Sequence, residues 1–432
     1  MLRGYKFRIY PTKKEIEELN KQMSLAKRLY NLLLEKARSY YKETGKAFTR
    51  NNMNNWITEL KKEREEFDCL YSQVLQNVAD RVSKAYRNFF YRIDKKRSGK
   101  RIKAGFPRPK KFVYSLTYPQ SGFKVIPEKK RINVSKIGSI PTKFDREIDG
   151  AIKTLTIKVS KSERWNASII VSKEDKEFSS NGKDMIGIDL GLKSYATLSN
   201  GIKIMNPRSQ KRLLERIKIC HRSISHKKKG GKNRRKAVIK LARLSERISR
   251  QREDALHKIS HELVNSYSFI AYERLDVKNM MKNHSFARSI NDASWGTFLN
   301  MLCYKAESAG CRTDGVNPED TTQECSRCNN VKKGKERLTI ENRIYFCNAC
   351  SLAMDRDLNA ALTIKKRSLK ILIKNISSER SNFGNKNVEG TAGHAGSQAS
   401  GDAVNTTGSP AANGADEPGT KYGHKAIGNP HL

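Results

Sequence analysis

Two Cys-x2-Cys pairs, Cys325 with Cys328 and Cys347 with Cys350, stand eighteen residues apart and constrain this chain more than any other feature. That spacing lets two short knuckles present four thiolates tetrahedrally to one zinc ion. Each knuckle needs a tight reverse turn, and the segments SRCNN and CNACS supply asparagine, which tolerates the left-handed backbone. Four thiolates leave no vacant position for water, so the zinc is expected to be structural rather than catalytic. The other cysteines, Cys69, Cys220, Cys303 and Cys311, are scattered through helix-like and strand-like sequence and suggest no disulfide framework.

At 432 residues the chain exceeds one simple core, and two to four packing units are expected. Its 86 Lys and Arg against 44 Asp and Glu leave a formal charge of +42, which points to nucleic acid as the neutralising partner. No run of about eighteen apolar residues is present, and MLRGYKFRIYP carries charge where a signal peptide needs an apolar core, so a cytoplasmic protein with no membrane partner is expected. Neither a Walker phosphate loop nor a GxGxxG fingerprint is present, which removes support for ATP- or NAD-driven chemistry.

Along the chain, Tyr5, Phe7 and Ile9 alternate with Lys6 and Arg8, which predicts a strand ended by Pro11. Leu19, Met23, Ala26, Leu29 and Leu33, then Leu75, Val78, Val82 and Tyr86, recur at helical spacing and predict a helical module over 13–111. Its last part, RIDKKRSGKRIKAGFPRPKK, is broken by Gly and Pro and is read as a phosphate-facing loop, with Lys103 and Arg108 as candidate contacts; a solvated linker is the alternative. Strand-like sequence over 112–180 is expected to close a small β-barrel with the first strand. A mixed α/β domain is read over 181–322 and 355–375, interrupted by the cysteine ribbon at 323–354, and the Gly-, Ala- and Ser-rich stretch 381–432 is read as a disordered tail.

Three acidic positions suit a nuclease working through hydrated magnesium, which needs carboxylates converging on one spot. Asp189 ends the apolar strand in Ile-Gly-Ile-Asp-Leu-Gly, and Glu273 ends Phe-Ile-Ala-Tyr, with Asp276 a weaker substitute. A carboxylate in such apolar surroundings is costly unless something pairs with it, and side-by-side strands would bring the two together. Asp357 follows the ribbon in MDRDLNAALTI, where Asp355 reads as a helix cap and Asp357 falls in the first turn. Taken singly, each acid has an equally good structural explanation. Basic residues from Lys227 to Lys240, among them Lys228, Lys229, Arg234 and Arg235, are candidate backbone contacts or simply a solvated face. His257 and His261 lie one helical turn apart but lack a third ligand, and no metal is assigned to them.

GIDLG, the acid after FIAYE, CSRC, CNAC and DRDLNAA, together with YKFRIYPTKKEIEEL, KRLYNLLLEKA, GFPRPKK and NDASWGTFLNMLCYKAESAG, resemble the TnpB family, transposon-encoded relatives of type V CRISPR nucleases. The resemblance covers roughly residues 1 to 370. It implies an RNase H-like (RuvC) nuclease domain with an inserted four-cysteine zinc ribbon, preceded by a wedge β-barrel (1–12 and 112–180) that carries an inserted helical recognition lobe (13–111). It further implies an RNA-guided DNA endonuclease, acting as a monomer with a guide RNA from the element's end on double-stranded DNA. Asp189, Glu273 and Asp357 would then hold two magnesium ions roughly 4 Å apart and leave 5′-phosphate ends. A DNA transposase with an acidic RNase H-like triad, and a guided repressor that has lost cleavage, are the alternatives. The chain departs from the family pattern at Asn329 and Ser351, where glycine is usual, at Pro109, where an aromatic is usual, and in EDTTQEC, where an aromatic-Thr-Ser version is commoner.

Overall fold

The computed structural model describes residues 2–99, 101–174, 184–208, 213–339 and 341–384, with side chains to residue 374. The first strand, β1 (Leu2–Ile9), buries Tyr5, Phe7 and Ile9, as their alternation requires. Each such buried side chain contributes about 2 kcal/mol of transfer free energy. Helix α1 (Lys13–Thr44) begins on a capping box: the Glu15 amide donates to the Thr12 hydroxyl at 3.3 Å and the Thr12 amide to the Glu15 carboxylate at 2.7 Å. It ends on Gly45, whose φ of 67° is the left-handed turn that stops a helix. Two further helices follow, α2 (Arg50–Glu63) and α3 (Ser72–Arg97).

Six strands come next: β2 (Ser115–Pro119), β3 (Phe123–Ile126), β4 (Arg131–Val134), β5 (Gly138–Lys143), β6 (Ala151–Val159) and β7 (Trp165–Ser172). With β1 they form a seven-stranded antiparallel sheet in the order β2-β6-β7-β1-β5-β4-β3. The two outermost strands, β2 and β3, are consecutive in the chain and joined only by residues 120–122. Three residues reach little more than 10 Å, so the two edges are drawn together and the sheet curls into a nearly closed barrel. Its inward side chains, among them Phe7, Ile169 and Val171, share one core with Leu29 and Leu33 of α1 and Val78 and Val82 of α3.

The second sheet is mixed. An antiparallel meander of β8 (Met185–Leu190), β9 (Ser194–Leu198) and β10 (Lys203–Met205) leads into α4 (Leu214–Ser225) and α5 (Lys232–Ser266). Strand β11 (Phe269–Glu273) then pairs in parallel with β8. After α6 (Val277–Met280), α7 (His284–Ala293) and α8 (Trp295–Ala309), closed by Gly310, strand β12 (Arg312–Val316) pairs in parallel with β11. The order is β10-β9-β8-β11-β12. Ile186, Ile188 and Ile270 pack with Leu256 and Leu263 of α5 and Phe298 and Leu302 of α8 on one face.

Residues 317–339 and 341–355 form the cysteine segment, with the hairpin β13 (Ile344–Phe346) and β14 (Ala353–Asp355). The last helix, α9 (Arg356–Gly384), packs Ile364 against Phe269, Ala271 and Val316 on the other sheet face. It runs four residues into the stretch read from composition as a tail, and the rest of that stretch, 385–432, lies outside the described residues. No described helix is long and apolar enough to cross a membrane.

Candidate carboxylate site and metal centre

The acidic residues meet because of strand register. β8 and β11 run parallel with Ile188 opposite Tyr272, so the next residues, Asp189 and Glu273, stand beside each other on the same face. That face is the one α9 covers. Gly187 makes the close approach possible: a Cβ there would lie 2.2 Å from the Ala361 carbonyl oxygen and 2.8 Å from the Lys365 amide. Ala361 is one turn after Asp357, so the same contact that seats α9 on Gly187 brings Asp357 towards Asp189, two residues further along β8. Gly187→Ala is therefore expected to push α9 off the sheet, costing about 2 kcal/mol or more in a denaturant melt and most of the activity; unchanged stability and activity would show that the contact is dispensable.

Each carboxylate has a distinct holder. Glu273 is 6% exposed and accepts a hydrogen bond from the Thr321 hydroxyl. Asp357 pairs with Arg356 at 3.2 Å. Asp355 caps α9, accepting from the amides of Asp357 and Leu358 at 3.1 Å each, and takes a salt bridge from Lys203 at 2.7 Å. Asp276 is the exposed N-cap of α6, bonded to the Asn279 amide, which accounts for it structurally. Burial, then the neighbouring charges of Glu273 and Asp357, raises the Asp189 carboxyl well above the usual carboxylate range, with Arg356 pulling the other way. Burial also raises Glu273, opposed by Thr321 and Arg367. Burial acts upward on Asp355 too, but the Lys203 ammonium and the α9 amides bring it below its ordinary value. Buried Asp189 and Glu273, with Asp357 beside them, are hard oxygen donors of a kind that suits a divalent cation.

The cysteines form a separate centre. Cys325 and Cys350 lie 3.6 Å apart, Cys328 and Cys347 3.5 Å, and all four sulfurs fall within 4.8 Å of one another. Tetrahedral zinc with bonds of about 2.3 Å needs sulfurs about 3.8 Å apart. Among the described residues no other group of three or more Cys, His, Asp and Glu gathers its ligand atoms so closely. The knuckles are built alike: Asn329 and Ser351 donate their amides to the carbonyls of Cys325 and Cys347 at 3.0 and 2.9 Å. Both residues are left-handed, with φ of 63° and 55°. Glycine takes this conformation without strain, which is the physical reason for a glycine at such a turn; Asn329 tolerates it better than Ser351 does. Ser351→Gly is expected to stabilise the ribbon by about 1 kcal/mol, read as a raised midpoint for metal release by chelator.

Side chains from α9 hold the first knuckle. Asn359, fully buried, accepts from the Ser326 amide at 3.0 Å and donates to the Glu324 carbonyl at 2.7 Å. Lys366 donates to the carbonyls of Ser326 and Arg327, and Arg367 pairs with the Glu324 carboxylate at 2.6 Å. The helix that carries Asp357 is thus bolted to the residues on either side of Cys325. Sequence reading missed Thr321, Asn359 and Arg367, although EDTTQEC and DRDLNAA stood out.

Several candidate nucleic-acid contacts have structural partners. Arg234 donates to the carbonyls of Ile224 and Lys227, Lys227 to Ser223, and Arg235 pairs with Glu163 at 2.7 Å. Lys228, Lys229, Lys103 and Arg108 are exposed. The His261 ring bonds Asn265, and the His257 carbonyl accepts from Lys305.

Known proteins resemble this chain over most of its length. A profile described as "Probable transposase" (OrfB_IS605) matches residues 168–284, one described as "Cas12f1-like, TNB domain" matches 295–364, and a "Helix-turn-helix domain" profile matches 1–46. Over 1–46 the structure has strand β1 and the single 32-residue helix α1 rather than two helices about a turn. A putative RNA-guided DNA endonuclease of Streptomyces pristinaespiralis is 32% identical over 374 residues, 84% of this chain and 88% of that one. The putative RNA-guided DNA endonuclease InsQ of Escherichia coli K12 is 27% identical over 84% of this chain and 91% of its own. In the cryo-EM structure of a Cas12f1–sgRNA–target DNA complex the matching chain is 17% identical, with a TM-score of 0.52 over 82% of each chain, which marks a shared α/β multidomain fold. With the motifs, the strand register and the 32% identity all in agreement, the chain belongs to the TnpB (IS605 OrfB) family.

Proposed function

We propose that this protein is an RNA-guided, metal-dependent DNA endonuclease encoded by a transposable element, with a single cutting site made of Asp189, Glu273 and Asp357. The observation that carries the reading is the in-register placement of Asp189 and Glu273 on adjacent parallel strands, with Asp357 brought to them by α9 on Gly187. The sheet order β10-β9-β8-β11-β12, with an antiparallel first half and a parallel second half, supports an RNase H-like (RuvC) domain. The barrel and the helices α1–α3 then serve as wedge and recognition lobe, and the cysteine centre as a structural zinc ribbon.

The three carboxylates would hold two magnesium ions, which supply the charge that ionises the attacking water and neutralises the leaving 3′ oxygen. Thr321 holds the Glu273 carboxylate, and Arg356 pairs with Asp357 and donates to the Thr339 carbonyl, so the two side chains would orient their acids toward the metals. Base pairing to the guide supplies sequence choice, and the protein acts as a monomer with its RNA on nucleoid DNA in the cytosol.

The test is to purify the protein from cells carrying its element, sequence the bound nucleic acid, and incubate the complex with a plasmid library. A discrete RNA from the element's end and magnesium-dependent double-strand cuts are expected. The match to a profile named for a transposase keeps one rival in view. Protein that carries no RNA and instead joins terminal DNA repeats would replace this reading with that one; bound RNA without cutting would make it a guided repressor.

A further inference from the structure

The sheet face that α9 covers carries one more charged group in line with the acids. Asp189 on β8 stands opposite Thr197 on β9, and Thr197 stands opposite Lys203 on β10. Residues opposite one another in a pleated sheet turn their side chains to the same face, so Glu273, Asp189, Thr197 and Lys203 form one row across four strands. The row ends, on the edge strand, in an ammonium group whose backbone lies two strand spacings, about 10 Å, from that of Asp189. Lys203 donates to one oxygen of Asp355 at 2.7 Å, while the other oxygen accepts the amides of Asp357 and Leu358. Asp355 thus closes β14, caps α9 and is held from the sheet by Lys203.

The two side chains are 42% and 37% exposed, and a pair so open to water adds little to stability. What it fixes is position. With one oxygen held by Lys203, the other is aimed at the first turn of α9, where Asp357 sits. The ribbon contacts of Asn359, Lys366 and Arg367 and the seat on Gly187 act further along the helix. We propose that Lys203 is a positioning residue for cutting: through Asp355 it sets where the Asp357 carboxylate stands relative to Asp189, and so how tightly the acids take up magnesium. The proposal rests on the reading of Asp189, Glu273 and Asp357 as the metal site. Removing a group that orients a metal ligand costs about 10–100-fold in metal affinity or activity.

The test reads magnesium uptake without turnover. Full-length protein, freed of nucleic acid by high salt and dialysed into magnesium-free buffer, is melted across a magnesium titration. For Lys203→Ala the midpoint of stabilisation should rise about tenfold, while the magnesium-free melting temperature stays within about 2 °C of wild type. Charge alone predicts the opposite sign, because losing a cation near the acids favours magnesium. Lys203→Arg, which can form the same pair, should return the midpoint to within about threefold of wild type. Asp355→Asn keeps an uncharged cap and loses the pair. It should match Lys203→Ala, and the double variant should be no worse than either single one, since both act along one path. Lys61→Ala, which breaks a pair of the same 2.7 Å length with Asp68, should leave the midpoint in place. In guided cutting, Lys203→Ala should be about tenfold slower at limiting magnesium and approach wild type at saturation. An unchanged or lowered midpoint in Lys203→Ala overturns the proposal. So do additive losses in the double variant, which would mean that Lys203 acts without Asp355, and a magnesium-free melt lowered by more than about 5 °C, which would make the pair structural. Wild-type protein that binds magnesium but cuts no guided target sinks the nuclease reading alone, and the midpoints still decide the role of Lys203; a wild-type melt indifferent to magnesium overturns both.

Discussion

Replacing Asp189 by asparagine is expected to stop cleavage and, in the presence of chelator, to make the protein more resistant to heat. The two effects share one cause. Asp189 is buried with the charges of Glu273 and Asp357 near it, so that its ionised form is unfavourable unless a cation balances it. An acid whose folded pKa is raised binds more protons folded than unfolded. Stability therefore falls as pH rises from the unfolded value, 3.8 for Asp189, through the higher folded one. Without metal the penalty grows as pH rises above that unfolded value. Asparagine removes it, with a gain of about 0.5–2 kcal/mol, or a few °C in Tm, the scale typical of relieving strain at an active site. The wild type should also gain stability in chelator on acidification from pH 8 to 5, and the variant should gain less. Magnesium should reverse the order, stabilising wild type and not the variant. Cutting of a matched plasmid should drop roughly a thousandfold or more, the scale of losing a group that acts on the transition state. If Asp189→Asn cuts like wild type, Asp189 leaves the mechanism; if it melts lower in chelator, the electrostatic account of the site is wrong.

The second large effect is expected from Cys325→Ser. A structural zinc contributes on the order of 10 kcal/mol to the fold of its own module, and loss of one thiolate forfeits a substantial part of that. The consequence should not stop at the ribbon. Asn359 holds the Ser326 amide and the Glu324 carbonyl, Arg367 holds the Glu324 carboxylate, and the helix carrying both also carries Asp357. When the knuckle loosens, the start of α9 loses its outer support, and the last carboxylate loses its position. Zinc content should fall below one per chain, amide protection should drop over 317–355 and at the start of α9, and cutting should fall about a hundredfold. Protection in β8 and α8 should stay as in wild type. A variant that keeps one zinc, or that loses it and still cuts normally, would show that the metal serves the ribbon alone.

Much of this was written locally in the sequence. The alternation of Tyr5, Phe7 and Ile9 predicts β1 because side chains in a strand change faces at every residue, and the helical spacing of Leu19 to Leu33 predicts α1 for the corresponding reason. The cysteine spacing predicts two knuckles, and the four sulfurs are gathered as it requires. Asp355 as cap and Asp357 in the first turn follow from the ordinary preferences at a helix start.

What the sequence by itself determined, then, is the type of most elements and a set of candidate residues, since both depend on neighbours within a few positions. Tertiary structure alone decided which of those residues meet. Asp189 stands beside Glu273 through a strand register set 84 residues away in the chain, and Gly187 turns out to be the floor on which α9 lies. Arg234, one basic residue among many in its segment, closes a turn, while Arg164, Arg216 and Arg243 come from three elements to line one cavity. Register and helix packing are chosen by the burial of whole faces, and no short stretch of residues carries that information.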